Sequence, residues 1–420
     1  MDITKLSLDE LDKLYLNTQF FAEGNPHVLW KRMRNEAPIR WTDAGLGRNF
    51  WSITKHEDVK FFLNDNERFS SQRYGASLPG HLDQVDPTKS EHARLVRAGY
   101  HLPMMDPPRH PIIREQFRAN FFSPPLINAL EKKVVEVATR ILDENVKRSE
   151  RIDFVTQIAA HLPMTMIFMI MDIPKDDWPM LFACANAHTA PEEVDFAMGK
   201  DAVETRKIAS GKIIAYAREL GRTRRENPGN DLISFMATMQ VGGELLSLDQ
   251  VGILGHMFIV AGQDTTRNTL GGGLLELIRN PEQMQRLRDN PDLIRRAPDE
   301  FLRYSSVVAH LLRAANVDVE YKGHHIKEDD WIVVWMASAN RDEDVFIDPD
   351  VFDIGRTPNS HVSFGFGPHF CLGGHLAKLQ MRVMLELLLE RYQSIELVGK
   401  PEWVAANQFV GLKALPLKMS

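Results

Sequence analysis

The chain has few of the features that mark secreted, membrane-spanning or nucleic-acid-binding proteins. Its 420 residues include only two cysteines, Cys184 and Cys371, and their wide separation argues against a disulfide framework. No apolar run reaches the roughly eighteen residues that a transmembrane helix needs, so we expect no membrane contact. The acidic, amphipathic start, MDITKLSLDELDKL, lacks the apolar core of a signal peptide. We therefore expect the protein in a reducing cytoplasm.

A basic excess is also absent. The formal net charge is −7 at pH 7 and the pI is near 6.1, which argues against a nucleic-acid partner. Hydrophobic residues make up 44% of the chain and charged residues 25%, as in ordinary soluble globular proteins. The length exceeds the roughly 250–300 residues of a single core, yet no linker, repeat or low-complexity tract divides the chain. We therefore expect residues 1–420 to form one large helix-rich unit.

Hydrophobic periodicity predicts a mainly helical fold with a minor β part. Strands are predicted at the start of 50–59, in SIELVG and LPLKM near the end, and in 317–340, where Lys322-Gly323 supplies a hairpin turn. A polar stretch at 72–105 has little periodicity, and a loop that long in a compact fold is usually functional. Helices are predicted over 126–149, 155–171, 201–226 and 249–279, from 281, from 298 and after 371.

Cys371 lies in a glycine-rich stretch, FGFGPHFCLGG, at residues 364–374. Free cysteine often packs as a small hydrophobe, so a structural role is the plainest interpretation. A nucleophile would need a base, and His369, only two residues away, does not face the thiol well. A zinc site would need further ligands, and no CxxC or HExxH motif occurs. The remaining interpretation is a metal thiolate with one protein ligand, which is what haem requires.

The surroundings of Cys371 suit a thiolate beside a flat cofactor. The flanking glycines allow the backbone to approach a macrocycle, and backbone N–H groups near the sulfur temper its charge. The sequence that follows, LGGHLAKLQMRVMLELLLERY, is strongly helical, and a helix N-terminus stabilises a thiolate.

The pattern Phe364-Gly365-x-Gly367-x-His369-x-Cys371-x-Gly373 resembles the haem-binding loop of the cytochrome P-450 superfamily. The resemblance implies that family's fold, a helix-rich triangular prism with a small β-sheet region near the N-terminus. It also implies haem b as the cofactor and Cys371 as the ligand of its iron, with Phe364 and Gly373 beside the haem.

A second segment, AGQDTT at 261–266, lies inside the long apolar helix predicted for 249–279. A threonine within a helix can bond back to a carbonyl and bend the helix, and Gly262 makes such an opening easier. Taken alone, the segment is also compatible with two exposed polar residues. Asp264 and Thr265 resemble the acid–alcohol pair of the family, which implies that Thr265 holds a water and the reacting oxygen while Asp264 relays protons.

The segments EFLR and MDPPRHPIIR extend the resemblance. In the first, Glu300 and Arg303 are spaced as a helical ion pair, and the family implies a buried structural triad completed by Arg356. In the second, His110 and Arg114 lie on one helix face. The resemblance implies that the haem propionates are held by four residues, each of which is also compatible with an ordinary surface charge: His110, Arg114, Arg313 and His369.

The resemblance covers nearly the whole chain and implies a haem-thiolate monooxygenase, which uses O2 and two electrons to hydroxylate or epoxidise a hydrophobic small molecule. Steroids, terpenoids and alkyl chains are the candidate substrates. Matching places seven mostly apolar residues in the substrate pocket: Ile259, Val260, Ala261, Val308, Leu311, Phe409 and Val410. The 72–105 loop is expected to shape the pocket entrance, where Tyr74, His81 or Arg97 could contact a polar group.

The expected partners follow from the motifs that the chain lacks. No flavin, nicotinamide or iron–sulfur motif is present, so we expect electrons from a separate ferredoxin and its NAD(P)H-dependent reductase, delivered to a monomer. Four basic residues flank the haem-binding segments and form a docking face or simply scattered solvated charges: Arg109, Arg118, Lys378 and Arg382. A peroxide-driven haem-thiolate enzyme and a non-catalytic haem protein remain alternatives.

Overall fold

The computed structural model describes residues 2–23, 25–78, 99–147, 150–191 and 193–420. Most of the predicted entrance loop, including His81 and Arg97, lies outside these residues. The helices of the described residues are α1 Leu8–Asp12, α2 Thr18–Glu23, α3 Pro26–Glu36, α4 His56–Asn64, α5 Arg109–Phe117, α6 Pro124–Ala129, α7 Glu131–Asn145, α8 His161–Ile170, α9 Trp178–Thr189, α10 Ala202–Glu226, α11 Leu232–Thr238, α12 Leu248–Arg279, α13 Pro281–Asp289, α14 Ala297–Ser305, α15 Met336–Ala339 and α16 Gly374–Arg391.

The strands are short and form small sheets. One five-stranded sheet has the order β1-β2-β10-β7-β3, and only β2 and β10 run parallel in it. It joins N-terminal strands to strands from the second half of the chain. The strands are β1 Ile39–Thr42, β2 Phe50–Ile53, β3 Phe69–Ser70, β4 Arg151–Asp153, β5 Gln240–Val241, β6 Glu244–Leu245, β7 Leu311–Ala315, β8 Val319–Tyr321, β9 His324–Ile326, β10 Trp331–Val334, β11 Ile395–Leu397, β12 Glu402–Trp403, β13 Leu412–Ala414 and β14 Pro416–Met419.

Helix α12 is the central element of the main hydrophobic core. Most of its residues between Val251 and Leu277 are buried, and it contacts α8, α9, α10, α14 and α16. It begins with a capping box in which Ser247 and Gln250 satisfy each other's backbone N–H groups. Close packing against α14 depends on Gly273, because a Cβ there would lie 2.1 Å from the ring of Phe301. No helix in the described part of the chain is long and apolar enough to cross a membrane.

The structure confirms the mainly helical class with a minor β part, and most predicted elements are present. The hairpin turn is at Lys322 and Gly323, both with positive φ, between β8 and β9. Two long predicted helices are interrupted. The segment 126–149 forms α6 and α7 with a turn at Leu130, and 155–171 begins with π-helical residues 155–159 before α8. Periodicity did not detect these interruptions because the apolar face continues across them.

Candidate functional site

The Cys371 loop is a tight turn stabilised by backbone hydrogen bonds. Gly365 and Gly367 have φ values of 74° and 71°, a conformation that favours glycine. The N–H of Cys371 donates to the carbonyl of Phe364 at 2.8 Å, which closes the turn. A Cβ at Gly367 would lie 2.8 Å from the Cα of Asn64 in α4. These two glycines are therefore required by the protein itself.

Gly373 has a different role, because nothing in the described protein requires a glycine there. Its φ of −85° suits any residue, and an added Cβ would have no protein atom within 4 Å. It immediately precedes α16. The absence of a side chain at Gly373 leaves space beside the backbone. A flat cofactor could approach the loop there, as the sequence resemblance implies.

Cys371 is exposed in the structure. Its side chain is enclosed on all sides by protein at longer range, and yet it retains accessible surface. Burial raises the pKa of the thiol, while the backbone N–H groups of Gly373 and Gly374 and the charge of Arg114 act in the opposite direction. The predicted effect of the helix N-terminus on the thiol pKa is present. Burial has the larger effect as long as no cation is bound to the sulfur.

A cluster of four basic side chains lies close to the cysteine loop. His110 and Arg114 come from α5, Arg313 from β7 and His369 from the loop itself. The rings of His110 and His369 stack with their centroids 3.8 Å apart. Burial, followed by the nearby arginine charges, lowers the pKa of His110 to about 4, and burial lowers that of Arg313 to about 10.

This cluster contains no anion. No carboxylate among the described residues forms an ion pair with Arg114 or Arg313, and Arg313 donates only to the carbonyl of Leu312 at 2.8 Å. Both ring nitrogens of His110 are buried without a hydrogen-bond partner in the described chain. Unpaired buried cations are costly, so the cluster fits a ligand that brings carboxylates. The two propionates of haem b meet this requirement.

The middle of α12 has one open polar stretch. Thr265 is partly exposed, and its hydroxyl donates back to the carbonyl of Ala261 at 3.4 Å, as predicted. Asp264 beside it is only 3% exposed and forms an ion pair of 2.6 Å with Arg267. The helix continues without interruption through this region. The sequence analysis did not single out Arg267, although it directly follows the AGQDTT segment.

Two amides extend this polar stretch to the neighbouring helix. Asn186 of α9 accepts hydrogen bonds from Gln263 at 2.7 Å and from Arg267 at 3.1 Å, both through Oδ1. All three side chains are buried. No signal in the sequence connects Asn186 with α12, since 77 residues separate it from Gln263.

The predicted triad is assembled around Glu300. Arg303 donates to both carboxylate oxygens of Glu300, at 2.8 and 2.7 Å, and neither residue has exposed surface. Arg356 approaches the same carboxylate at 3.4 Å and donates to main-chain carbonyls of 347–351. Asn359 and the N–H of Asp353 complete the set of donors. The triad therefore holds together the segment that leads into the cysteine loop.

Five of the seven predicted pocket residues retain accessible surface. They are Val260, Ala261, Val308, Leu311 and Phe409. Val308 and Phe409 pair through their backbones, and hydrogen bonds of 2.8 Å flank the pair on both sides. Leu311 shares a face of β7 with Arg313, because alternate residues of a strand point the same way.

Two predicted pocket residues do not share this exposure. Ile259 is completely buried and packs in the main helical core, and Val410 is buried in a separate core cluster. A helix places Ile259 and Ala261 on different faces, which explains why neighbours in sequence differ here.

His310 was not predicted but connects three segments of the pocket wall. Its Nε2 accepts from the N–H of Leu78 at 3.2 Å, and its Nδ1 lies 3.3 Å from the carbonyl of Asn407, to which it donates. Both contacts are satisfied only by the neutral ring. Burial lowers the pKa of His310 to about 4.

The four basic residues expected at a docking face lie on or next to α5 and α16, and all have partners. Arg118 pairs with Glu115 at 2.6 Å, and Arg382 pairs with Glu131 at 2.7 Å. Lys378 contacts Asp299. Arg109 donates to the carbonyl of Gly99 at 2.7 Å and lies over the ring of Tyr100.

Comparison with known proteins agrees with this geometry. A sequence model of the family described as Cytochrome P450 matches residues 193–419. Linalool 8-monooxygenase of Pseudomonas putida is 32% identical over 401 residues, which cover 95% of this chain and 97% of that protein. Steroid C26-monooxygenase of Mycolicibacterium smegmatis is 32% identical over 407 residues, with 95% and 92% covered.

A solved structure extends the similarity to three dimensions. Mycobacterium marinum cytochrome P450 CYP268A2 in complex with pseudoionone matches with a TM-score of 0.86 at 29% identity, covering 96% of this chain and 97% of that one. This chain belongs to the cytochrome P450 family, and it is a monooxygenase whose cofactor is haem b.

Proposed function

We propose that this monooxygenase hydroxylates or epoxidises an uncharged terpenoid, with electrons from a separate ferredoxin. The observation that carries the proposal is the apolar set Val260, Ala261, Val308, Leu311 and Phe409, whose members all keep accessible surface. None of these side chains carries a charge or a hydrogen-bonding group. A charged substrate buried against them would lack a partner, which is costly.

When bound, haem activates O2, and its thiolate ligand favours cleavage of the O–O bond. In our proposal Cys371 supplies that thiolate, and Phe364 and Gly373 border the cofactor. The cluster of His110, Arg114, Arg313 and His369 binds the two propionates, and the Glu300 triad keeps the loop in place. These residues bind and orient the cofactor and take no part in proton transfer.

Proton delivery is assigned to Asp264 and Thr265. Thr265 can hold a water through its hydroxyl, because the bond to Ala261 uses only its proton and leaves the oxygen free to accept. Asp264 lies one residue away with an ionised partner, so it can pass protons inward and recover them from solvent. Exclusion of other water by the apolar pocket limits wasteful loss of electrons.

Two comparisons agree with a terpenoid substrate. One relative is named for linalool, and the similar Mycobacterium marinum structure holds pseudoionone. Both compounds are uncharged, flexible and branched, with one small polar group. Their shape suits a pocket lined by short branched side chains and one aromatic ring.

Substrate-induced spin-state titration of the haem-loaded protein tests this class. We expect linalool or pseudoionone to displace the sixth iron ligand and shift the Soret band at micromolar concentrations, with testosterone and palmitate as controls for size and charge. Product analysis by mass spectrometry then identifies the site of oxygen insertion. A clear shift with testosterone and none with either terpenoid would assign the pocket to steroids and contradict the proposal.

We further propose that residues 1–420 act as a single catalytic unit, as a monomer in the cytoplasm, and that electrons reach it from a ferredoxin and its reductase. The basic residues on α5 and α16 support this, although their ion pairs reduce the net charge they present. NADH consumption in the presence of a bacterial ferredoxin and reductase should depend on substrate and fall with added salt. Turnover that is faster with peroxide than with any ferredoxin would favour the peroxide-driven alternative.

The identity of the iron ligand has a direct spectroscopic test. The reduced carbonyl form should show the strongly red-shifted Soret band of thiolate ligation, and Cys371→Ser should lose it. Cys184→Ser is the matched control, because that thiol is buried in the helical core. A carbonyl spectrum that survives Cys371→Ser would remove Cys371 from the site.

A further inference from the structure

Asp264 is held by an arginine of its own helix. Nη2 of Arg267 lies 2.6 Å from Oδ1 of Asp264, and the two residues are 8% and 3% exposed. Their spacing of three places both side chains on one face of α12. A buried carboxylate without a counter-charge would be costly, and the guanidinium of Arg267 supplies that charge.

The guanidinium is itself fixed from outside the helix. Its Nη1 donates to Oδ1 of Asn186 on α9 at 3.1 Å, and the amide of Gln263 donates to the same oxygen at 2.7 Å. Asn186 is therefore a shared acceptor that ties the arginine to a second helix. An arginine side chain has several free torsions, and this anchor removes them.

The ion pair leaves Asp264 able to accept protons. Despite the short distance, no N–H in the described chain is directed at either carboxylate oxygen with hydrogen-bond geometry. Arg267 contacts Oδ1, and Oδ2 has no hydrogen-bond partner among the described residues, so that oxygen stays available to accept. A bidentate arginine, such as Arg303 on Glu300, would occupy both oxygens.

We propose that Arg267 and Asn186 are positioning residues for proton delivery. Arg267 supplies the counter-charge of Asp264 and orients it with Oδ2 available to accept, and Asn186 holds Arg267 in the arrangement that permits this. This inference rests on the proposed role of Asp264 in proton relay. It predicts that Asn186 on α9 affects the fraction of electrons recovered in product, although Asn186 itself takes no part in the oxygen chemistry.

The test compares variants of the holoenzyme by the fraction of electrons recovered in product. Arg267→Gln and Asn186→Leu should each lower this fraction by about tenfold or less, a part of the roughly 10²–10⁴-fold effect of a positioned acid–base group. Arg267→Lys keeps the positive charge but not the planar guanidinium. Its fraction of electrons recovered in product should lie between those of Arg267→Gln and the parent. Substrate affinity by spin-state titration should stay within about twofold, since neither residue belongs to the proposed pocket.

Arg279→Gln is the matched control. It removes an arginine with the same spacing from a carboxylate on the same helix, since Arg279 pairs with Glu276 at 2.9 Å near the exposed end of α12. Its product yield should equal that of the parent. If Arg267→Gln does not accumulate as holoenzyme, Arg267→Lys and Asn186→Leu carry the test.

A second readout does not depend on turnover. In urea unfolding of the holoenzyme, the midpoint shifts of Arg267→Gln and Asp264→Asn should be strongly non-additive, because each single change leaves the other group buried and unpaired. Additive shifts would overturn the pairing. Unchanged product yield in the Arg267 and Asn186 variants, with a large loss in Asp264→Asn, would overturn the inference alone. Unchanged yield in Asp264→Asn would instead contradict the proposed relay itself.

Discussion

His110 and His369 stack face to face although 258 residues separate them, with ring centroids 3.8 Å apart. The contact joins α5 to the cysteine loop. Burial is the main cause that lowers the pKa of both rings, to about 4 for His110 and to about 2 for His369. Two imidazolium rings could not stack in this way, so at neutral pH the rings act as uncharged donors beside two arginines.

Arg313 is expected to dominate cofactor affinity within this cluster. It is fully enclosed, and no carboxylate in the described chain forms an ion pair with it, although the charge of Asp106 acts on it from farther away. Arg313→Met should raise the rate of haem loss to excess apomyoglobin by roughly 10–100-fold. This increase corresponds to the free energy of one or two charge-assisted hydrogen bonds that the variant cannot form. Arg288→Met is the control, because Arg288 binds only main-chain carbonyls of 389–393. Equal rates for the two variants would remove Arg313 from the cofactor site.

The protein should lose stability in mild acid through His310. Its pKa is about 4 when folded against an ordinary value of 6.5, so the unfolded state binds more protons between these values. Stability is complete above about pH 6.5 and falls as the pH approaches 4, by about 3 kcal/mol in total. The slope of unfolding free energy against pH should become shallower in His310→Gln. An unchanged slope would show that other groups cause the acid sensitivity.

Gly273 should tolerate no side chain. A Cβ there would overlap the ring of Phe301, which is itself fully buried between α12 and α14. Gly273→Ala should destabilise the protein by about 1–3 kcal/mol, the usual cost of overpacking. Gly211→Ala in α10 is the matched control, since nothing lies within 4 Å of its Cβ position. That change should instead stabilise by up to about 1 kcal/mol, and destabilisation by both would mean that packing is not the cause.

Neighbouring positions on α12 should separate substrate binding from stability. Ala261 keeps accessible surface and Ile259 has none. Ala261→Leu should alter terpenoid affinity by tenfold or more, or about 1.4 kcal/mol, with little change in the free energy of unfolding. Ile259→Val should cost about 0.5–1.5 kcal/mol of stability and leave spin-state titrations unchanged. The opposite pattern would place Ile259 in the pocket.

The Glu300 ion pair should be among the most sensitive in the protein. Glu300→Gln keeps the shape but leaves two arginines without a counter-charge in a buried site. We expect a loss of about 3–5 kcal/mol in urea unfolding. Glu276→Gln, which breaks a partly exposed pair with Arg279, should cost less than about 1 kcal/mol. Similar losses in both would show that burial does not determine the value of this pair.

The sequence was sufficient for those parts of the site that depend on local pattern. Cys371, with its glycines, and the Asp264-Thr265 pair each lie within one short segment, so the resemblance of that segment to a family motif was enough to make them candidates. Arg313 could be predicted because it interrupts an apolar run, where a charge without a partner would be costly. Periodicity likewise located α10 and α12, which are long and bounded by capping residues.

Contacts between distant segments could not be predicted in this way. Asn186 meets Arg267 across 81 residues, and His310 meets Asn407 across 97. Such pairings are set by how helices and loops pack, which a single sequence does not display. The burial of Ile259 was missed for a related reason. Its neighbours in sequence are pocket candidates, but a rotation of about 100° per residue turns it toward the core.

The Glu300 triad also has a consequence for the order in which the enzyme matures. All of the donors that surround this carboxylate come from the chain, from Arg303, Arg356, Asn359 and the N–H of Asp353. This hydrogen-bond network around Glu300 consists of protein atoms alone. The backbone on one side of the cysteine loop can therefore become ordered before the cofactor binds. Haem would then bind to a site that is already partly formed.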